Sequence, residues 1–324
     1  MKLLLLTSEA PEFLRVKDQH VQAIKKSAPE LDIALVSEDD KEKIAEHILD
    51  ADIVAGVHRS TADLISQAKR VRWVHAFSAG VDRILTKEIV QSEIIVSNSS
   101  GIHAVPIAEH VIGFMLVFAR KFAVTFKLQQ EKKWEKQEDL TELRDKRLVI
   151  VGFGSIGREI GRLASGFSMK ISAVDVNIQE KPDWAEELVG PDKLSALLPT
   201  ADFVVSALPL APATRGFFSE QQFSDMKDTA VFINIGRGGV VDQEALIDAL
   251  RAKKIGGAGL DVTDPEPLPK DSPLWEMDNV VITPHHSGWS EKYMDRAVDL
   301  FISNLKAFLD QKELPTLVNK EQGF

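Results

Sequence analysis

Apolar and polar positions alternate along the first part of the chain in two different periods. Short apolar runs occupy residues 3–7, 32–36, 53–57, 71–77 and 94–97. Apolar positions at helical spacing occupy residues 20–27, 62–69 and 83–90. Strands that alternate with helices predict a parallel sheet covered on both faces. We therefore expect a small five-stranded α/β domain, and it lacks the glycine loop that would bind a nucleotide phosphate.

A long helical pattern, residues 107–130, begins directly after Pro106. Proline suits the first turn of a helix. The early part of the pattern is apolar around most of its circumference, which predicts burial between two bodies. The charged residues 131–147 lack strand signals and predict an exposed arm. Trp134 in this arm is either an anchor on a partner subunit or a locally packed residue.

The second half of the chain has the same alternation of periods. Apolar runs occupy residues 148–151, 203–208, 230–235, 257–262 and 280–283, and a further run ends at Asp175. Helical patterns occupy residues 155–166, 193–198, 219–226 and 243–252. Six strands with crossover helices predict a doubly wound sheet.

An amphipathic helix at residues 290–310 follows this second sheet and is expected to return to the first domain. The predicted fold class is therefore α/β, a Rossmann doubly wound parallel sheet inserted into a smaller flavodoxin-like domain. The predicted boundaries are residues 1–100 with 290–324 for the smaller domain and 101–289 for the larger one. The helix at 107–130 is expected to connect the two.

Glycines punctuate the first strand–helix junction of the second domain. Gly152, Gly154 and Gly157 follow the run at 148–151, and Asp175 ends the next run. The three glycines serve, in order, a tight turn, close approach of a pyrophosphate, and close helix–strand packing. The pyrophosphate would lie at the positive end of the helix. Asp175 would bind the ribose hydroxyls and repel the extra phosphate of NADP, so the predicted cofactor is NAD.

Composition narrows the classes of partner and compartment. The 324 residues carry a formal net charge of −10, which argues against nucleic acid or an anionic membrane as a partner. The absence of cysteine excludes disulfides and thiolate metal sites, and no metal is predicted. The apolar start of the chain is interpreted as a first strand rather than a signal segment. No stretch is long enough to span a membrane, so a cytoplasmic protein is expected.

Three ionisable residues follow neighbouring strands of the second domain: Arg237, Glu266 and His285. Ligands of an open parallel sheet bind beyond the carboxyl ends of its strands. Arginine can hold a carboxylate and a carbonyl oxygen. Histidine, whose ordinary pKa is about 6.5, can exchange a proton with an alkoxide, and a neighbouring glutamate would orient its ring. The set suits the reduction of a 2-oxo acid.

Each of these residues also has a structural alternative. Arg237 could cap a helix or pair with Asp242, and Glu266, which lies between two prolines, could be a turn residue. His285 could be an ordinary loop residue, and His286 beside it is a competing candidate.

The chain resembles the D-isomer-specific 2-hydroxyacid dehydrogenases over nearly its whole length. The matching segments are SAGVD at 78–82, the glycine turn with Asp175, SALPLAPATRGFF at 206–218, INIGRGGVVDQEAL at 233–246, GLDVTDPEPLP at 259–269 and TPHHSG at 283–288. The resemblance implies that Arg237 binds substrate and that Glu266 and His285 form the acid/base pair. His285 is preferred to His286 because it directly follows the Thr-Pro dipeptide.

The resemblance also implies binding roles for further residues. The implied NAD-binding residues are Gly152, Phe153, Gly154, Ser155, Ile156, Gly157, Asp175, Leu208, Pro209, Thr214, Ile235, Gly236, Asp261 and Gly288. Among them, Ile235, Gly236 and Asp261 would border the nicotinamide. The backbone N–H groups of Ala79 and Gly80 would hold the substrate carboxylate. Members of this family form homodimers through the nucleotide domains, which suits the long helix and the arm.

Some features of the chain bear on the choice of activity within this family. Glu266 disfavours formate oxidation, because the formate dehydrogenases carry glutamine there. The residues after His285 depart from the common pattern, so Trp289 either shapes the pocket or packs locally. The chain is most similar to glyoxylate and hydroxypyruvate reductases. A phosphoglycerate dehydrogenase-like activity and a non-catalytic, NAD-sensing corepressor-like scaffold remain as alternatives.

Overall fold

A computed structural model describes residues 1–57, 59–65, 68–81, 84–178 and 180–321. The chain divides into two compact units, Met1–His103 with Trp289–Phe324, and Ala104–Gly288. The divisions thus lie after His103 and before Trp289, rather than after residues 100 and 289.

The described residues form two sheets and the helices that flank them. The strands are β1 (Lys2–Thr7), β2 (Asp32–Ser37), β3 (Ile53–Ala55), β4 (Trp73–His75), β5 (Ile95–Ser97), β6 (Arg147–Val151), β7 (Lys170–Val174), β8 (Glu187–Val189), β9 (Phe203–Ser206), β10 (Val231–Asn234), β11 (Gly257–Leu260) and β12 (Val280–Ile282). The α-helices are α1 (Asp18–Ser27), α2 (Lys41–Ile48), α3 (Arg59–Ile65), α4 (Lys87–Gln91), α5 (Ala104–Ala119), α6 (Phe122–Gln130), α7 (Ser155–Gly166), α8 (Leu194–Leu197), α9 (Glu220–Asp225), α10 (Gln243–Arg251) and α11 (Tyr293–Leu309).

The first unit contains a parallel five-stranded sheet in the order β2-β1-β3-β4-β5. All five predicted strands are confirmed. The predicted helices at 62–69 and 83–90 correspond in part to α3 and α4, and residues 66, 67, 82 and 83 lie outside the described residues. The last predicted helix, α11, packs its apolar face against Leu5 and Trp73 of this sheet. Burial of that face explains why the last helix belongs to the first unit.

The second unit contains a parallel seven-stranded sheet in the order β12-β11-β10-β9-β6-β7-β8. The chain starts in the middle at β6, leaves in one direction through β7 and β8, and continues in the other from β9 to β12. This is the doubly wound arrangement that the sequence predicted. The prediction of six strands was wrong, because it omitted β8. This edge strand has only three half-buried residues and no continuous apolar run.

The predicted single helix at 107–130 is two helices, α5 and α6. The helical conformation is interrupted at Lys121, whose φ of 55° is left-handed. The buried face of α5 packs on α7 and on the sheet of its own unit, where the ring of Phe114 lies against Gly259. The described residues 131–146 form neither helix nor strand and are mostly exposed, as predicted. Trp134 is 97% exposed in the isolated chain, which excludes local packing.

Hydropathy and helix length together bear on the question of a bilayer span. Within the described ranges, no helix has the combination of length and apolar character that crossing a membrane requires.

Candidate active site

The glycine turn after β6 has one position whose small size the protein's own packing does not require. Gly152 has a φ of 95°, and a Cβ there would lie 2.7 Å from the carbonyl oxygen of Ala207. A Cβ at Gly157 would collide with the carbonyl group of Gly152. A Cβ at Gly154 would meet no heavy atom within 4 Å. The open space at Gly154 therefore fits a ligand that approaches the backbone at the start of the twelve-residue helix α7.

Asp175 directly follows β7, and its carboxylate contacts the glycine turn. The oxygen Oδ2 accepts a 2.6 Å hydrogen bond from the backbone N–H of Phe153, and Oδ1 accepts a 2.8 Å bond from the N–H of Asn177. Each carboxylate oxygen can accept a further hydrogen bond. These residues fit a dinucleotide, with room for the pyrophosphate at Gly154 and an acceptor for ribose hydroxyls at Asp175.

Several predicted cofactor residues lie in loops that follow neighbouring strands of this sheet and contact one another. Leu208 and Pro209 follow β9, which is the neighbour of β6 at the point where the chain direction reverses. A Cβ at Gly236, after β10, would collide with the carbonyl group of Leu208. The hydroxyl of Thr214 donates to the carbonyl of Pro209 over 2.6 Å. The loops after β6, β9 and β10 therefore lie against one another at the switch point, where doubly wound sheets bind their ligands.

The remaining predicted cofactor residues differ in exposure. The side chain of Phe153 is buried in the core, so its backbone rather than its ring faces Asp175. Ser155 is exposed, Ile156 is half-buried and Ile235 is buried. Gly288 is the last residue of the second unit.

Arg237, Glu266 and His285 follow β10, β11 and β12, which are consecutive neighbours in the sheet. The topology thus brings the three residues to one edge. The Arg237 guanidinium donates to the carbonyl of Gly236 over 2.9 Å. The hydrogen-bond acceptor that caps α10 is Asp242, because its carboxylate accepts the N–H of Ala245 at 3.2 Å.

Glu266 and His285 form a hydrogen-bonded pair, with 2.8 Å between Oε2 and Nδ1. A carboxylate can only accept, so Nδ1 carries the hydrogen and Nε2 is the ring nitrogen turned to other partners. The second carboxylate oxygen of Glu266 accepts the N–H of Thr263 at 3.3 Å, which orients the group. The side chain of Glu266 is 35% exposed and that of His285 is 49% exposed. The pair therefore remains accessible to a ligand.

Asp261 holds the turn that carries His285. The residue is 2% exposed, and its carboxylate accepts hydrogen bonds from the hydroxyl of Thr283 at 2.6 Å and from the N–H groups of His286 and Ser287 at 3.1 Å each. Its carbonyl oxygen accepts the N–H of His285 at 2.8 Å. The resemblance implied only a contact with nicotinamide for Asp261. The structure shows in addition that Asp261 holds the turn that carries His285. The sequence, which shows only an acidic residue at the end of a strand, does not predict this role.

His110, on α5, is a site residue that sequence reasoning missed. Its Nε2 lies 3.0 Å from the hydroxyl oxygen of Thr283, across 173 residues of chain. Burial lowers the pKa of His110; the carboxylate of Asp261 opposes that shift, and His286 adds to it. His110, Asp261 and His286 each present one possible metal-ligand atom, all within 4.8 Å of one another. No local signal marks His110, because it lies beside Glu109 in a mostly apolar helix.

His285 and His286 have different surroundings although they are adjacent. The ring of His285 meets Glu266, whereas the ring of His286 lies 5.7 Å from the ring of His110, edge to face. The two candidates that the sequence left open are thus distinguished by their partners.

The loop at residues 78–80 in the first unit is held from both sides. The hydroxyl of Ser78 donates to the carbonyl of Gly80 at 2.9 Å, and the amide of Asn98 donates to the carbonyl of Ala79 at 2.7 Å. Within the described part of the chain, no acceptor pairs with the backbone N–H groups of Ala79 and Gly80. Asp82 of the SAGVD segment lies outside the described residues.

Trp289 belongs to the first unit and follows the His285 turn in the chain. Its ring lies 5.2 Å from the ring of Phe13, and 51% of the residue is exposed. Packing against Phe13 therefore accounts for part of its surface, and the role in shaping a pocket stays a prediction.

Comparison with known proteins places these features in a family context. The family model described as "D-isomer specific 2-hydroxyacid dehydrogenase, NAD binding domain" matches residues 112–287. The chain is 34% identical to a glyoxylate reductase of Korarchaeum cryptofilum over 289 residues, which is 87% of this chain and 86% of that protein. It is 33% identical to a D-3-phosphoglycerate dehydrogenase of Methanocaldococcus jannaschii over 284 residues, which is 86% of this chain and 54% of that protein.

A solved structure resembles the whole chain. It is the NADPH-dependent glyoxylate/hydroxypyruvate reductase of Sinorhizobium meliloti, in complex with NADP and sulfate. The two share 25% identity with a TM-score of 0.82, and the match covers 100% of both chains.

Proposed function

The chain belongs to the D-isomer-specific 2-hydroxyacid dehydrogenases, and we propose that it uses NADH to reduce a small 2-oxo acid, of the glyoxylate or hydroxypyruvate type, to the D-2-hydroxy acid. The family acts on CH–OH groups and its sheet binds NAD(P). The observation that carries the proposal is the hydrogen-bonded Glu266–His285 pair, which follows strands of the same sheet as the glycine turn.

His285 is the proton donor of the proposed reduction. Its Nδ1–H is committed to Glu266, so Nε2 holds the proton that passes to the carbonyl oxygen of the substrate. The hydrogen bond to Glu266 fixes the orientation of the ring. When bound, the nicotinamide supplies the hydride. In the oxidative direction Nε2 accepts the proton from the hydroxyl group.

Arg237 provides the group that a 2-oxo acid requires. The guanidinium would bind the carboxylate and the carbonyl oxygen together, since its planar fork matches two oxygen atoms. This contact favours a 2-oxo acid over a simple ketone or aldehyde.

We infer a preference for NAD over NADP from the surroundings of Asp175. Its carboxylate would repel a 2′-phosphate. Two basic residues that could attract such a phosphate have contacts within the protein. The amine of Lys181 donates to the carbonyl of Ala185 at 2.6 Å, and the guanidinium of Arg158 lies 4.8 Å from the ring centroid of Phe153. The Sinorhizobium reductase binds NADP, and a comparison of kcat/KM with NADH and with NADPH tests the preference proposed for this chain.

We also propose a homodimer formed through the second unit. The support is the exposed aromatic surface of α6 and the arm. The rings of Phe122 and Phe126 stack with 6.0 Å between centroids, both residues are exposed, and Trp134 is almost wholly exposed. Large exposed aromatic groups in one stretch of chain are typical of interfaces.

The deciding experiment is NADH oxidation with a panel of acids. The purified protein should reduce glyoxylate or hydroxypyruvate in the presence of NADH. The product of hydroxypyruvate, which unlike that of glyoxylate is chiral, should have the D configuration. Phosphohydroxypyruvate belongs in the panel because of the similarity to the Methanocaldococcus protein. A clear preference for the phosphorylated acid would replace the proposal with a phosphoglycerate dehydrogenase-like activity. NADH binding without turnover of any acid would favour the scaffold alternative.

A further inference from the structure

A hydrogen-bonded chain within the second unit links helix α5 to the turn that carries His285. Its members are His110, Thr283 and Asp261. The Nε2 atom of His110 lies 3.0 Å from the hydroxyl oxygen of Thr283, and that oxygen lies 2.6 Å from Oδ1 of Asp261. Both distances are within the range of hydrogen bonds.

The chemistry of the three groups sets the direction of these bonds. The carboxylate of Asp261 can only accept, so the hydroxyl of Thr283 donates its one hydrogen to it. The hydroxyl oxygen must then accept from His110, which therefore carries its hydrogen on Nε2. Burial lowers the pKa of His110, which favours the neutral ring, but the direction of the two bonds follows from the donors and acceptors alone.

The far end of the chain of bonds holds the reactive turn. Asp261 accepts the N–H groups of His286 and Ser287 through its carboxylate and that of His285 through its carbonyl. His285 has a left-handed φ of 51°, which is unfavourable for a residue with a side chain. The surrounding bonds must therefore stabilise this conformation, and it is the conformation in which Nδ1 meets Glu266.

We propose that His110 is a positioning residue for the dehydrogenase reaction: by donating to Thr283 it fixes the Asp261 carboxylate and, through it, the turn that presents His285. The inference rests on the proposed function of His285. It assigns a role to a helix residue that makes no contact with Glu266 or with the glycine turn in the contacts described above.

A double-mutant cycle tests the proposal. His110→Phe and Thr283→Val each remove one link while they nearly conserve volume. Each should lower kcat for glyoxylate or hydroxypyruvate reduction, by up to about 100-fold, because a small misplacement of the acid is enough. The dissociation constant of NADH, measured by fluorescence, should change little. Because both changes break the same chain of bonds, the double variant should be no slower than the slower single variant.

Conservative variants separate positioning from packing. His110→Gln and Thr283→Ser keep an N–H donor and a hydroxyl, respectively, and should recover most of the lost kcat. The control is Phe114→Leu, one turn along α5, whose ring lies 4.7 Å from that of His110. It should lower the melting temperature and leave kcat near the parent value. The Thr283 pair decides the matter if His110→Phe does not fold.

Other results would overturn the assignment. Independent, multiplicative losses in the cycle, or no recovery by Thr283→Ser, would mean that the residues act only through packing. Inhibition by EDTA that Zn²⁺ reverses would assign His110, Asp261 and His286 to a metal site instead. A parent protein that reduces no 2-oxo acid would refute the proposed function, whereas an active parent with unaffected His110 and Thr283 variants would refute this inference alone.

Discussion

The carboxylate of Glu266 and the imidazole of His285 meet over 2.8 Å, although 19 residues separate them in the chain. Each follows a different strand of one parallel sheet, and the strands are direct neighbours. The contact thus joins a group that can stabilise positive charge to a group that can carry a proton. It leaves Nε2 as the nitrogen that exchanges the proton.

The first prediction separates the two adjacent histidines. His285→Ala should lower kcat by about 10²–10⁴-fold, which is the usual contribution of a positioned acid. NADH affinity should be retained, because it depends on the glycine turn and Asp175. His286→Ala is the matched control and should cost far less. Steady-state kinetics with one acid and a fluorescence titration of NADH give both quantities; an inactive His286 variant beside an active His285 variant would reverse the assignment.

The second prediction concerns the carboxylate of Glu266. Glu266→Gln keeps the size of the side chain and replaces the charged acceptor of the Nδ1–H bond by a neutral amide. A hydrogen bond to a charged partner is about twice as strong as a neutral one, so the ring of His285 should be less firmly oriented and kcat for reduction should fall by about tenfold or more. Asp264→Asn, in the same loop, is the control in the same steady-state assay. Equal kcat for the parent and the Glu266 variant would leave Glu266 as a turn residue.

The third prediction concerns cofactor choice. The parent should have a higher kcat/KM with NADH than with NADPH. Asp175→Ser should reduce this ratio by about tenfold or more, because a like-charge contact costs several kcal/mol. It should also raise the KM for NADH, since the turn loses the bond to Phe153. Asp183→Asn serves as a nearby control for charge. A parent that prefers NADPH would contradict the role of Asp175.

The fourth prediction concerns stability in acid. His75 is buried in the first unit beside Ser97 and Ser99, and burial lowers its pKa to about 3. The unfolded chain binds a proton near pH 6.5 and the folded chain does not. The contribution of His75 to the free energy of unfolding is therefore fully present above pH 6.5. It is lost as the pH falls toward 3, by up to about 1.4 kcal/mol per pH unit. Urea unfolding at several pH values between 7 and 4.5 gives the free energy of unfolding as a function of pH. This free energy should fall less steeply with decreasing pH in His75→Gln than in the parent, and an equal fall in both would contradict the prediction.

The fifth prediction concerns assembly. Trp134→Ser should weaken the proposed dimer and leave the fold unchanged, because the residue is exposed in the isolated chain. Light scattering over a concentration series measures the effect. Trp275→Ser, at a half-exposed tryptophan of the same unit, is the control. A monomeric parent would refute the proposed dimer.

The strand pattern and the glycine turn could be predicted from the sequence because both are local. A buried strand needs a continuous apolar run, and the turn after β6 needs Gly152 to adopt a positive φ. The placement of Arg237, Glu266 and His285 at one edge followed from the same pattern, since parallel strands end at the same side. The edge strand β8 and the break at Lys121 could not be predicted. The first depends on pairing with β7, and the second is a backbone conformation that lysine rarely adopts.

The amino-acid sequence by itself thus determined the fold class and the set of candidate residues, because burial and turn formation act between near neighbours. Only the tertiary structure decided which of His285 and His286 meets Glu266, and that Asp261 and His110 support the turn between them. Those relationships are hydrogen bonds between residues up to 173 positions apart. Their distances depend on how helices and strands pack, and no periodicity along the chain encodes that packing.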